Sequence, residues 1–211
     1  FWIEETPFHW SDGSMYQIVL DRFNPPQVEP KSTPSIADRW GGNLQKVLEA
    51  LQQGYFDQFA IQSIWISPLY SNPSGRWQGV EGGIARYQGY HGYWPIHPRQ
   101  VGKEWGQAET LHKIIALAHQ KGIRVILDIV LNHVHQEHPY VKQYPQWFTP
   151  RGCLCGRAEC SWYLWIETCQ FTTYLPDVRW EGTAVIKQQV DDALWWMEGF
   201  DLDGLRVDGV P

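Results

Sequence analysis

Arg124-Val125-Ile126-Leu127-Asp128-Ile129-Val130 is the stretch on which the fold turns. Successive side chains of a strand point to opposite faces, and here both faces are aliphatic. A strand that alternates polar and apolar residues covers one face only. This one must be covered on both, which is the mark of a parallel sheet flanked by helices. Three further short, apolar runs read as companion strands: Met15 to Leu20, Ser63 to Ser67 and Gly204 to Val207. Helical spacing precedes three of the four. Leu44, Val47, Leu48 and Leu51 fall at i, i+3, i+4 and i+7, and Leu111, Ile114, Ile115 and Ala118 repeat the pattern. Ile186, Val190, Ala193, Leu194 and Met197 form a third apolar stripe. Gly122 and Gly199 stand where helix C-caps are wanted, just before the next strand.

Strands alternating with such helices are parallel βα units, in an open doubly wound sheet or a closed (β/α)8 barrel. A dinucleotide-binding open sheet needs a Gly-rich turn after its first strand. Asp21-Arg22-Phe23-Asn24-Pro25-Pro26 follows that strand without a glycine, which favours the barrel. A full barrel takes about 250 residues, whereas four strands occupy this chain of 211. The expected fold is α/β, a partial (β/α)8 TIM barrel of strands one to four with an irregular insertion after strand three. Residues 1–134 begin the barrel, 135–182 are the inserted B domain, and 183–211 continue through strand four. The insertion lies at the C-terminal ends of the strands, where barrel enzymes keep their active sites.

The formal net charge of −6 argues against nucleic acid as a partner, because phosphate binding needs a basic face. No apolar run reaches spanning length, so no membrane partner is expected. Thirteen Trp and ten Tyr stand out. Aromatics fill cores, but flat faces are also what sugar rings stack on.

Three clusters could carry chemistry. In Asp203-Gly204-Leu205-Arg206-Val207-Asp208, residues two apart share a face, so Arg206 and Asp208 project together at the end of strand four. A carboxylate beside a guanidinium is held ionised, as a nucleophile or electrostatic stabiliser requires; a structural ion pair is the plain alternative. Asp128-Ile129-Val130-Leu131-Asn132-His133 ends strand three in polar groups where a pocket opens. Tyr87-Gln88-Gly89-Tyr90-His91-Gly92-Tyr93-Trp94-Pro95 alternates glycines with planar rings, as a sugar-stacking loop or an aromatic mini-core would.

Taken together and in order, these segments resemble glycoside hydrolase family 13, the α-amylase family. Tyr16 to Phe23 resembles its first strand, Ser63 to Pro68 its second, and His91 to Trp94 the aromatic loop that follows. Asp128 to His133, Leu175-Pro176-Asp177 and Gly204 to Asp208 resemble three further motifs. The resemblance implies an enzyme that cleaves α-glucosidic bonds of starch-like α-glucans by retaining double displacement. Asp208 would be the catalytic nucleophile and Arg206 its orienting partner. His91 and His133 would hydrogen-bond the sugar, Tyr93 would stack beneath it, and Trp94 and Asp128 would complete the substrate side. Asn132 and Asp177 match positions that bind a structural Ca2+, and oxygen donors suit that cation. Gly209-Val210-Pro211 stands where many calcium-dependent members have Lys-His, which removes one expected metal contact.

Retaining cleavage needs a second carboxyl group about 5 Å from the first. The family's acid is a Glu after strand five, and Glu81, Glu104 and Glu109 are no substitutes. The 211-residue chain alone is therefore expected to be inactive. Cys153, Cys155, Cys160 and Cys169 form a local staple. Two disulfides, each joining one early to one later cysteine, are the first reading and imply a secreted protein. A four-thiolate Zn2+ site is the rival. Other functional readings are a transglycosylase, a trehalose-synthase-like isomerase, and a non-catalytic carbohydrate-binding or transporter-associated relative.

Overall fold

A computed structural model describes residues 9, 13–26, 35–79, 84–150 and 152–210. Glu81 lies outside these residues. In chain order the elements are β1 (Ser14–Ile18), α1 (Leu44–Gln52), β2 (Ile61–Ile66), β3 (Trp77–Gln78), β4 (Arg86–Tyr87) and α2 (Ala108–Gln120). They continue with β5 (Arg124–Val130), α3 (Pro139–Gln143), α4 (Trp162–Trp165), α5 (Thr183–Phe200) and β6 (Gly204–Asp208). β1, β2, β5 and β6 form one parallel sheet in that order. A doubly wound sheet reverses its strand order at a switch point. This sheet does not reverse, as in successive strands of a (β/α)8 barrel. β3 and β4 pair antiparallel in a separate two-stranded sheet in the loop after β2.

The sheet is held by what the sequence placed on it. From Val125 to Val130 β5 is buried throughout, with α2 packed against it and α1 packed on α2. Leu44, Val47, Leu48 and Leu51 of α1 are buried, as are Leu111, Ile114, Ile115 and Ala118 of α2. Asn43 caps α1, its side-chain oxygen accepting from the Lys46 amide at 3.2 Å. That bond satisfies one of the free N–H groups of the first turn.

Two expectations fail on α5. Its buried residues are Val185, Gln189, Asp192, Trp196 and Phe200. Ile186, Val190 and Leu194 of the anticipated stripe are 40%, 48% and 45% exposed, while Ala193 and Met197 pack half-buried against the core. Asp192 is buried because it is bonded. It accepts from Arg99 Nε at 2.7 Å, Gln188 Nε2 at 2.9 Å and Tyr140 Oη at 3.1 Å. Gly199 is not the cap either. It lies within α5, and Asp201 takes the left-handed position at φ 58°, its N–H bonding the Met197 carbonyl. Gly122 does follow the last residues of α2 with φ +72°. β1 stops at Ile18, short of Leu20, because Leu20–Arg22 tightens into a 3-10 turn.

The segment after β5 has its own small clusters. Val134, Phe148, Val178 and Val185 pack together, and Tyr174 and Leu175 pack with Trp94. Backbone bridges His133–Asp177 and Phe148–Val178 return the chain to the strand end. Disulfides join Cys153 to Cys160 and Cys155 to Cys169, early to late in each case. With all four sulfurs paired, no thiolate is left to hold Zn2+.

Candidate active site

Parallel register places Asp128 of β5 beside Arg206 of β6, and Val130 beside Asp208. The Arg206 Nη1 therefore reaches both carboxylates. It lies 3.2 Å from Asp128 Oδ1 and in a short ion pair with Asp208 Oδ1. The Arg206 guanidinium also lies 5.1 Å from the ring centroid of Trp65 on β2. Burial opposes its charge, yet the bonds to Asp208 and Asp128 hold it above the ordinary arginine value.

The two carboxylates sit in different surroundings. Asp128 is fully buried, and its Oδ2 accepts from Tyr93 Oη at 2.7 Å and Trp65 Nε1 at 3.1 Å. Burial raises its pKa, against the bonds from Tyr93 and Arg206. Asp208 keeps 24% of its side chain exposed and lines a cleft of about 780 Å³ with Asn132, Thr149, Glu167, Thr168 and Trp180. Asp128 anchors the group. Asp208 faces the space where a ligand could sit.

Tyr93 stands between them, half-buried, its hydroxyl pushed well up by burial and by the bond to Asp128. Its loop is held by Gly92, at φ +89°, where a Cβ would fall 2.3 Å from the Pro68 carbonyl oxygen. No other residue fits there. The Tyr93 amide donates to His91 Nδ1 at 3.0 Å, and burial lowers His91 to about pKa 4. His133 is 3% exposed and bonds the Tyr93 carbonyl through Nε2 at 3.0 Å. A carbonyl only accepts, so Nε2 carries the proton and Nδ1 is left as acceptor. Burial lowers its pKa as well. Trp94 is buried against Tyr174 and Leu175, so its ring packs behind the loop and is not open to the cleft.

Asn132 and Asp177 meet across the bridge between strand end and insertion, the Asn132 Nδ2 donating to Asp177 Oδ1 at 3.2 Å. Asp177 is 2% exposed, and burial pushes its carboxyl up to about 7 despite that bond. Among the described residues no three His, Cys, Asp or Glu side chains gather closely enough to hold a metal by themselves. Glu104 bonds Arg39 and the Asn72 amide in the loop after β2, away from the cleft lining. Sequence reasoning missed Trp65, Glu167 and Phe171. An indole amid the aliphatics of β2 was a visible signal; no periodicity marks the other two.

Sequential parallel strands, a long insertion after β5 and a shared guanidinium at two strand ends define a barrel of the amylase type. The chain belongs to the α-amylase family: the profile for the α-amylase catalytic domain matches residues 8–211. Among curated relatives, α-amylase 2 of Dictyoglomus thermophilum is 27% identical, covering 94% of this chain and 32% of its own. The intracellular maltogenic amylase of Bacillus subtilis is 26% identical, covering 92% and 32%. The crystal structure of the Geobacillus thermoleovorans α-amylase, complexed with acarbose, superposes with a TM-score of 0.76 at 29% identity. It covers 97% of this chain and 41% of that one. The chain thus spans about a third of the length of the curated relatives it matches.

Proposed function

We propose that the protein to which this chain belongs cleaves α-glucosidic bonds of starch-like α-glucans with retention. The observation that carries the reading is the Arg206 guanidinium shared by Asp128 and Asp208, which leaves Asp208 alone turned to the cleft. Asp208 attacks the anomeric carbon and forms the covalent glycosyl-enzyme, and water later releases the sugar. Arg206 orients the attacking carboxylate. Tyr93 stacks under the reacting ring, and His91 and His133, neutral through burial, bond its hydroxyls. Asp128 and Trp94 position these groups from behind. The acid that protonates the leaving oxygen is implied by the family to follow a fifth strand, so the whole protein is the unit to assay.

Residues 1–134 and 183–211 act as barrel, and 135–182 as the inserted B domain. Asn132 and Asp177 would hold a structural Ca2+ where these parts meet. In support, Asp177 is a buried carboxyl with a single amide donor, and a hard cation would favour its ionised form. Bound there, the ion would supply cohesion, not chemistry. Chelation should lower the melting temperature of the parent, and Asp177→Asn should remove that response. Two disulfides support an oxidising compartment, and an extracellular site of action.

The test is turnover of maltoheptaose by the whole protein, with the anomer of the first product read by NMR. Retention is expected, acarbose should inhibit, and Asp208→Asn should lower kcat about a thousandfold or more. An inverted first product, or an Asp208→Asn variant keeping a tenth of the rate, would overturn the proposal.

A further inference from the structure

Ser161-Trp162-Tyr163-Leu164-Trp165-Ile166-Glu167-Thr168 lies between two half-cystines, Cys160 and Cys169. It is the most aromatic exposed stretch described: Trp162 and Trp165 are each 47% exposed and Tyr163 is 96%. Large rings left in water cost free energy unless something covers them. Here the backbone that carries them is fixed beforehand. Besides the two disulfides, the Gln170 amide bonds the Cys153 carbonyl at 2.9 Å, and the Cys155 amide bonds the Gln170 carbonyl at 3.0 Å. Gln170 itself is 1% exposed, its side-chain amide donating to the Thr149 carbonyl at 3.2 Å. A surface ordered in advance loses less conformational entropy when it binds.

The rings are also lined up with the candidate site. Trp162 stacks on Phe171 with centroids 5.7 Å apart and planes 28° apart. Phe171 meets His133 edge-on at 5.3 Å, and His133 bonds the Tyr93 carbonyl. The other end of the segment, Glu167 and Thr168, lines the cleft that Asp208 faces. The row thus runs outward from His133 through Phe171 to Trp162, on a segment whose far end borders the cleft. A sugar ring is apolar on its face and polar round its rim. Aromatic planes beside a carboxylate and a hydroxyl match both.

We propose that Trp162 and Phe171 form an outlying platform that holds glucosyl units of an α-glucan chain running out of the cleft. The cystine-bracketed segment thereby sets a preference for longer chains. This rests on the function proposed above.

The experiment compares kcat/KM for maltoheptaose and maltotriose in the whole protein. Trp162→Ala and Phe171→Ala should each lower the maltoheptaose value on the order of tenfold more than the maltotriose value. The loss should lie in KM, because the platform binds ground and transition states alike. Trp162→Tyr should restore most of it, which separates stacking from folding. Tyr163→Ala, on the same helix but outside the row, should leave the ratio at the parent value. Equal losses on both substrates would overturn the platform, as would an unchanged ratio. An unchanged ratio with a Trp162→Ala variant that newly dissociates in sedimentation would assign the face to a second copy of the chain. A parent protein that turns over neither sugar would instead overturn the proposed function, and the platform with it.

Discussion

The sheet and the insertion at its mouth are built on opposite principles. β5 is buried from Val125 to Val130 and belongs to one large, mainly aliphatic core. The insertion has two small apolar clusters, two disulfides and a set of bonded polar residues. Its largest side chains lie half in water. The first design concentrates stability in packing. The second holds shape locally while leaving surface free, as binding segments do.

The largest difference should come from a core truncation. Leu127 is 1% exposed in the middle of β5, and Leu127→Ala should cost about 2–5 kcal/mol in global stability, read as a shift of the urea midpoint. Ile186→Ala on the exposed stripe of α5 removes comparable bulk without a buried cavity. A loss there as large as at Leu127 would show that the stripe is covered in the whole protein.

Removing the second disulfide tests the insertion. Cys155 and Cys169 are 14 residues apart, and closing a loop of about that size restricts the unfolded chain by about 3 kcal/mol. If the insertion is locally held, Cys155→Ser with Cys169→Ser should expose residues 152–170 to proteolysis. The urea midpoint of the sheet should move much less than for Leu127→Ala. Equal loss of both would mean one cooperative unit.

The sheet was legible in the sequence because burial on both faces leaves a one-dimensional trace. Both aliphatic helix stripes and the Arg206–Asp208 pair followed from period alone. α5 was misread because Asp192 is buried by partners far away in the chain, Arg99 and Tyr140 among them. A polar residue buried by a distant bond looks like a surface residue in sequence. Asp201 was missed as the cap for a related reason, since glycine is the usual but not the sole occupant of that conformation. At the site, motif order picked out the residues that the resemblance implies. It could not tell which carboxylate is enclosed and which is open, because enclosure of Asp128 depends on Tyr93 and Trp65 from other elements.

Acid sensitivity should also divide between the two regions. His91, His135 and His138 are lowered by burial to about 4, 4 and 3, and two of them belong to the insertion. Each is neutral when folded and takes a proton on unfolding below about pH 6.5. The unfolded state then binds more protons, so stability falls as pH drops from about 6.5 toward the folded values. Asp177, raised to about 7, works in the opposite sense. Comparing His138→Gln with the parent at each pH isolates one histidine. The variant's urea midpoint should fall less steeply between pH 6 and 4, by about one proton's worth of slope. Parallel curves would mean that His138 is not held neutral.

The smallest effect should come from the barrel's strained cap. Asp201 sits at φ 58° and ψ 46°, a left-handed conformation that costs an ordinary side chain about 1–2 kcal/mol. Its amide still closes the helix on the Met197 carbonyl, so the position is needed even though the residue is unfavourable. Glycine would remove the strain but would lose more freedom on folding. Asp201→Gly should therefore raise stability by only about 0.5–1 kcal/mol, seen as a small rise in urea midpoint. The rise should persist in the protein lacking the Cys155–Cys169 bond, because the cap belongs to the sheet's unit and not to the insertion's. A gain that disappears with the disulfide would join the two regions energetically.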